Sequence, residues 1–201
     1  MAERARLECA NDSRISILTT SAEKTGLTTG TVDAVLIASA YHWMNRPAVN
    51  DELLRILKPG GAALIFEYRF PIVAARPKLN EWIRRQFNTL WKLPEQTPRG
   101  KLKELLQALL VRPEVKQWRP LGDLPGTPPF FEQQLTVEAL AGLIFSQARF
   151  ESYSRSLLGN EARAHHRTDI GARLHEFFDG AEALAFEFPL RGFLIEKRGH
   201  Y

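Results

Sequence analysis

Residues 32–38, Val-Asp-Ala-Val-Leu-Ile-Ala, are nearly all apolar and rich in β-branched side chains. Such a run reads as a strand buried on both faces, as in a parallel sheet covered by helices. Pro47 follows at a place that suits the first turn of a helix, and Val49, Leu53, Leu54 and Leu57 form an apolar stripe behind it. Lys58-Pro59-Gly60-Gly61 is expected to stop that helix, and Ala62 to Phe66 to form another buried strand. Strand, helix and strand with short links predict a right-handed βαβ unit. Upstream, residues 1–14 read as the tail of an amphipathic helix closed by Asn11-Asp12-Ser13, and Ile15 to Leu18 as a short strand.

The pattern changes after residue 76. Leu79, Trp82, Ile83, Phe87, Leu90 and Trp91 fall at helical spacing, as do Leu102, Leu105, Leu106, Leu109 and Leu110. Pro94, Pro98, Pro113, Pro120, Pro125, Pro128 and Pro129 punctuate them. The expectation is a helical insertion with Pro-rich loops over about 76–145, within a single domain of 1–201. Thr136 is the expected N-cap of a helix reaching Phe145. Phe150 to Ser154 alternates like a strand. A helix is expected from Asn160 to Phe178 before a turn at Asp179-Gly180, then a last strand over 185–196 broken at Pro189.

With 44% hydrophobic and 25% charged residues the chain has ordinary globular composition, and no run approaches a membrane span. No apolar region follows the first residues, so no secretory signal is read and a cytoplasmic address is expected. A single cysteine, Cys9, excludes an internal disulfide and a thiolate metal cluster. The net charge of +4 is uneven: residues 76–120 carry eleven basic against four acidic side chains. That middle reads either as a solvated helical face or as a surface for RNA, phospholipid or an anionic substrate. Apolar residues interleave with the basic ones, which favours the solvated face and makes a nucleic-acid partner unexpected. His165, His166 and His175 have no partners at metal-ligand spacing and read as surface residues. No GxSxG elbow supports a hydrolase.

One ordered set of segments carries more. Ser21-Ala22-Glu23, Val32-Asp33-Ala34-Val35, Ala40-Tyr41-His42-Trp43 and Leu57-Lys58-Pro59-Gly60-Gly61 come in sequence, with Leu135 to Ser146 and Phe188 to Arg198 later. This order resembles the class I S-adenosylmethionine-dependent methyltransferases of type 11, especially their trans-aconitate-methyltransferase-like branch. The resemblance implies a Rossmann-like α/β sheet, mostly parallel, with a C-terminal antiparallel hairpin strand. It implies S-adenosylmethionine as cofactor and a small-molecule substrate. It places Ser21 and Ala22 at the adenine; the small residues Ala38, Ser39 and Ala40 at the end of the strand either let backbone approach the cofactor or only let helix pack on sheet. Tyr41, His42 and Trp43 would line the pocket near the sulfonium, where an aromatic face can stabilise a cation. Glu67, Tyr68 and Arg69 would face the substrate, Arg69 as a clamp for an anion. Ser21 also reads as an ordinary loop serine, His42 as a packed histidine and Arg69 as a surface ion-pair residue. Trp82, Trp91 and Trp118 are candidate walls of the cleft, with core packing the alternative. Methyl transfer needs alignment and exclusion of water more than a catalytic dyad, so no catalytic residue is assigned.

The family's glycine-rich cofactor loop has no counterpart: no GxGxG occurs in the chain. The sheet is therefore expected to lack its first two strands, leaving 32–38 with a bare edge. Three readings follow: a start codon set too late, a decayed gene, or a true product. The last would be a non-catalytic pseudo-methyltransferase that binds a partner. The edge would pair with 15–18, borrow a partner's strand or drive self-association.

Overall fold

The computed structural model describes residues 2–87, 102–128, 130–157 and 159–199. The expected Leu90, Trp91, Pro94, Pro98 and Pro129 lie outside them. The chain divides into two compact units, the first drawn from 1–65, 101–119 and 193–201 and the second from 66–100 and 120–192.

The first unit opens with α1 (Ala2–Glu8), which buries no residue. Residues 15–20 form no strand, contrary to expectation. Three apolar residues and a serine without a paired neighbour do not hold a ladder, and Ile15 and Leu18 are exposed. Next come β1 (Val32–Ala38), a 3₁₀ turn at Tyr41–Trp43, α2 (Arg46–Ile56) and β2 (Leu57–Tyr68). Pro47 sits in the first turn of α2 as expected, and Val49, Leu53, Leu54 and Ile56 are buried. Lys58 to Gly61 does not follow the helix as a loop but begins β2. Gly61 is needed there, since a Cβ would lie 3.0 Å from the Asp33 and Lys58 carbonyl oxygens.

Strand order in this sheet is β1-β2-β5-β3, where β3 is Val115–Pro120 and β5 is Leu184–Lys197. β1 is thus terminal, and the expectation that it is buried on both faces is corrected. Only Ile37 is fully buried, while Leu36 is 68% exposed. Ala63 and Ile65 of β2 are completely buried. They share a core with α2, Tyr41, Ile195 and the apolar face of α4 (Leu102–Leu110). Trp118 packs beside Phe193 at 5.7 Å, with the Lys103 ammonium 5.0 Å over its ring. Lys197 Nζ donates to the Leu54 and Leu57 carbonyls at 2.6 and 2.7 Å, pinning the end of β5 where α2 becomes β2.

In the second unit, α3 (Pro77–Arg85) packs with α5 (Val137–Phe145), α6 (Ala148–Ser156) and α7 (Gly159–Phe178). Thr136 caps α5 as expected, its hydroxyl accepting the Ala139 N–H at 3.2 Å. Ile170, Leu174 and Phe178 recur every four residues along the buried side of α7. Residues 150–154 are helix, not strand. Phe150 and Ser154 are both buried, a spacing of four that fits the helical period better than the alternation suggested. β3 and β4 (Phe130–Leu135) are strands within the stretch expected to be helices and Pro-rich loops. β4 lies antiparallel to β5 in the register Phe131↔Phe188 and Leu135↔Leu184. Pro189 does not break β5; its carbonyl accepts the Arg69 N–H at 2.9 Å. Trp82 is core, 5.7 Å from Phe177.

His166 is not a surface residue. Its ring stacks on Phe150 at 5.8 Å and meets Tyr153 edge-on at 5.3 Å, and burial holds its pKa below the usual value. His165 is exposed, 3.5 Å from Asp169. Among the described residues no helix is long and apolar enough to cross a membrane, and no His, Cys, Asp and Glu cluster could hold a metal ion.

Candidate functional site

In the first unit the expected cofactor residues sit on two short turns. Ser21 opens one: its carbonyl accepts the Lys24 N–H at 3.2 Å, and Thr20 Oγ1 donates to the Lys24 carbonyl at 2.8 Å. The Ser21 hydroxyl donates to the Glu23 carboxylate and accepts the Glu23 N–H at 3.1 Å. The other carboxylate oxygen of Glu23 accepts the N–H of Asn45, the residue before α2, at 3.0 Å. Ser21, then the Asn45 N–H, hold the Glu23 carboxyl below its usual pKa. Glu23 therefore joins the 21–24 turn to the chain that carries Tyr41 to Trp43. Sequence reasoning assigned it no role, although a serine two residues before a glutamate is a recognisable turn signal.

The second turn leaves the carboxyl end of β1. Ser39 has a positive φ of 49°, which only a tight reversal requires of a non-glycine residue. Strain of this kind, of order 1–3 kcal/mol, collects at functional sites and is itself a reason to look there. Ala38 is exposed, and Ser39 and Ala40 are half-buried. Tyr41 departs from expectation: it is 2% exposed and its hydroxyl donates to Asn50 Oδ1 at 2.7 Å. That is a core tyrosine, not a pocket wall, and burial pushes its phenol pKa up. His42 is half-buried, its ring 5.0 Å from that of Trp43, and Trp43 is exposed.

Glu52, which the sequence reading did not single out, locks the loop between the two turns. Its carboxylate accepts the Thr25 N–H at 2.8 Å and the Thr25 hydroxyl at 2.5 Å. It also takes two Arg55 donors at 2.8 Å each. Arg55 in turn donates to the Leu27 carbonyl at 2.7 Å and to Thr29 at 2.9 Å. Arg55, then Thr25, pull the Glu52 carboxyl down to about 2.

Glu67, Tyr68 and Arg69 belong to the second unit. The Tyr68 ring meets Phe131 and Phe188 edge-on at 6.1 and 6.0 Å. Arg69 is exposed and Glu67 half-buried.

Residues 1–65 match the family model of the type 11 methyltransferases, described as a methyltransferase domain. That segment holds every residue expected at the cofactor. A Dictyostelium discoideum protein that carries the name of a methyltransferase is 40% identical over 48 residues. The match spans 24% of this chain and 18% of that protein. Over most of the chain, the solved structure of an Anaeromyxobacter dehalogenans protein, named as a type II methyltransferase, superposes with a TM-score of 0.65. It covers 94% of this chain and 75% of the other at 18% identity.

The fold is a methyltransferase fold.

Within that methyltransferase fold, Ser21 and Lys24 are exposed, Ala22 and Glu23 are half-buried, and residues 38–40 are small. Gly26 and Gly30 lie in the loop before β1, and Gly61 serves strand packing.

Proposed function

We propose that this chain is an S-adenosylmethionine-dependent methyltransferase of the type 11 family acting on a small molecule. The observation that carries the proposal is the family match over residues 1–65, which includes both turns of the candidate site. The trans-aconitate-like branch remains part of the proposal on the order of segments given above. When bound, the cofactor supplies an already activated methyl group. The chain's own residues then have three tasks. Ser21 and the Ala22 backbone would hold the adenine, and the strained reversal at Ser39 would bring the 38–40 backbone to the ligand. Trp43 and His42 would cover that edge against water, with the His42 imidazole able to orient a substrate group. Titration of the isotopically labelled chain with S-adenosylhomocysteine tests this. Amide shifts concentrated at 20–24 and 38–43 are expected; a ligand that leaves both segments unmoved at millimolar concentration refutes it.

A second reading, a non-catalytic relative that acts through a partner or a second copy of itself, is favoured by one specific observation. β1 ends the strand order with its outer side chains in solvent, Leu36 at 68% exposure. A terminal strand with apolar residues in solvent can act as a template for pairing, and the charge on β1 is Asp33 at its start, paired with Lys58. Self-association through this edge without any affinity for S-adenosylhomocysteine would select the second reading.

A further inference from the structure

We propose that the second unit contains a binding site of its own for a neutral, planar, largely apolar small molecule. The site is an open groove of about 510 Å³ along β4, the neighbouring ends of β2 and β5, and α5. That volume lies in the usual range for small-molecule pockets, roughly 300–1,000 Å³.

Its construction follows from the sequence. On β4 the alternate residues Phe131, Gln133 and Leu135 share a face. The antiparallel register sets Phe188 opposite Phe131, and the two rings stack at 4.6 Å with 9° between their planes. Tyr68 closes the group edge-on to both. The result is an aromatic wall that stays partly in water, with Tyr68 44% and Phe131 39% exposed. Facing it, α5 presents Ala139, Gly142, Leu143 and Ser146, spaced three, four and seven residues from the first. Three of these four are small, and they keep the helix from filling the space. A Cβ built at Gly142 would meet nothing within 4 Å.

The lining decides the ligand class. None of its nine residues is charged, and Arg69 and Glu67 are not among them. An anion or cation seated there would lose part of its hydration with no counter-charge in the lining to replace it. Aromatic rings in offset or edge-on contact reward a flat partner instead. The Gln133 amide, with the Tyr68 and Ser146 hydroxyls, supplies the polar groups that can fix its orientation. This inference does not depend on the cofactor reading, and its test uses no cofactor.

The test is a calorimetric titration of the full chain with 2-naphthol as the neutral probe and 2-naphthoate as its anionic counterpart. The variants are Gly142→Leu, which fills the groove, and Phe131→Ala, which removes part of the wall. Gly142 lies in a helix with open space around it, so leucine there should leave the melting temperature unchanged or higher. Saturable binding of 2-naphthol is expected, weakened at least about tenfold in both variants. 2-Naphthoate is expected to bind at least about tenfold more weakly than 2-naphthol. No binding of 2-naphthol, binding indifferent to Gly142→Leu, or equal affinity for the anion would each overturn the proposal.

Discussion

Replacing Glu52 probes the loop that sets the candidate site more sharply than any change at the site itself. The Glu52 side chain is 8% exposed and takes four donors, two from Thr25 and two from Arg55. Hydrogen bonds to a charged group are worth about 1.5–3 kcal/mol net, and breaking a buried ion pair costs about 3–5 kcal/mol. Arg55 is 37% exposed and regains water when its partner leaves, so the lower part of the range applies. Glu52→Ala should cost about 2 kcal/mol. Glu52→Gln keeps an acceptor for Thr25 but turns an amide NH₂ toward Arg55, and should cost about half as much. Urea unfolding followed by circular dichroism measures the loss. Native-state hydrogen exchange localises it: amides 25–31 should open about thirtyfold more often in the alanine variant. The pH arm has a fixed sign. The folded carboxyl titrates near 2 against 4.5 unperturbed, so its stabilisation is complete above about 4.5 and is lost as pH falls toward 2. The glutamine variant should lack that part of the acid destabilisation. An alanine variant within about 0.5 kcal/mol of the parent, the range of an ordinary surface change, would refute the reasoning.

Thr136→Ala removes the N-cap of α5 and should cost about 1 kcal/mol in urea unfolding, with Thr136→Ser largely neutral. His166 has its pKa lowered by burial, so the fold disfavours its charged form. Stability should fall as pH drops below about 6.5, and His166→Phe should flatten that dependence in a thermal scan. Leu36→Lys should abolish self-association measured by light scattering, because a charge on a terminal strand opposes edge pairing. A parent chain that stays monomeric at high concentration would count against the edge altogether.

The α2 stripe behind Pro47, the 102–110 helix, the Thr136 cap and the Asp179-Gly180 turn were all legible, because each depends on local chemistry alone. Both turn residues indeed have positive φ. The bare edge expected at 32–38 came from the resemblance, not from the pattern. An apolar run looks the same whether or not its faces are covered, and here they are half open. β3 and β4 were invisible for a related reason. Lys116-Gln117-Trp118-Arg119 and Glu132-Gln133-Gln134 are too polar to show alternation, and their pairing with β5 comes from distant residues. At the candidate site, residues 38–40 were readable as small residues at the end of a strand, whereas Ser21 follows no strand and lies on a turn. Tyr41 was misjudged, because nothing local announces that Asn50, nine residues on, buries its hydroxyl. Glu23 and Glu52 bind backbone and side chains across loops, and no periodicity reports such bonds.

The central claim is that residues 21–24 and 38–43 meet S-adenosylmethionine, and one nuclear magnetic resonance titration addresses it directly. With S-adenosylhomocysteine added to the labelled chain, the account predicts saturable shifts at those two segments and a dissociation constant of about 1 mM or tighter. Shifts that are absent, or that fall only on the second unit, would contradict it.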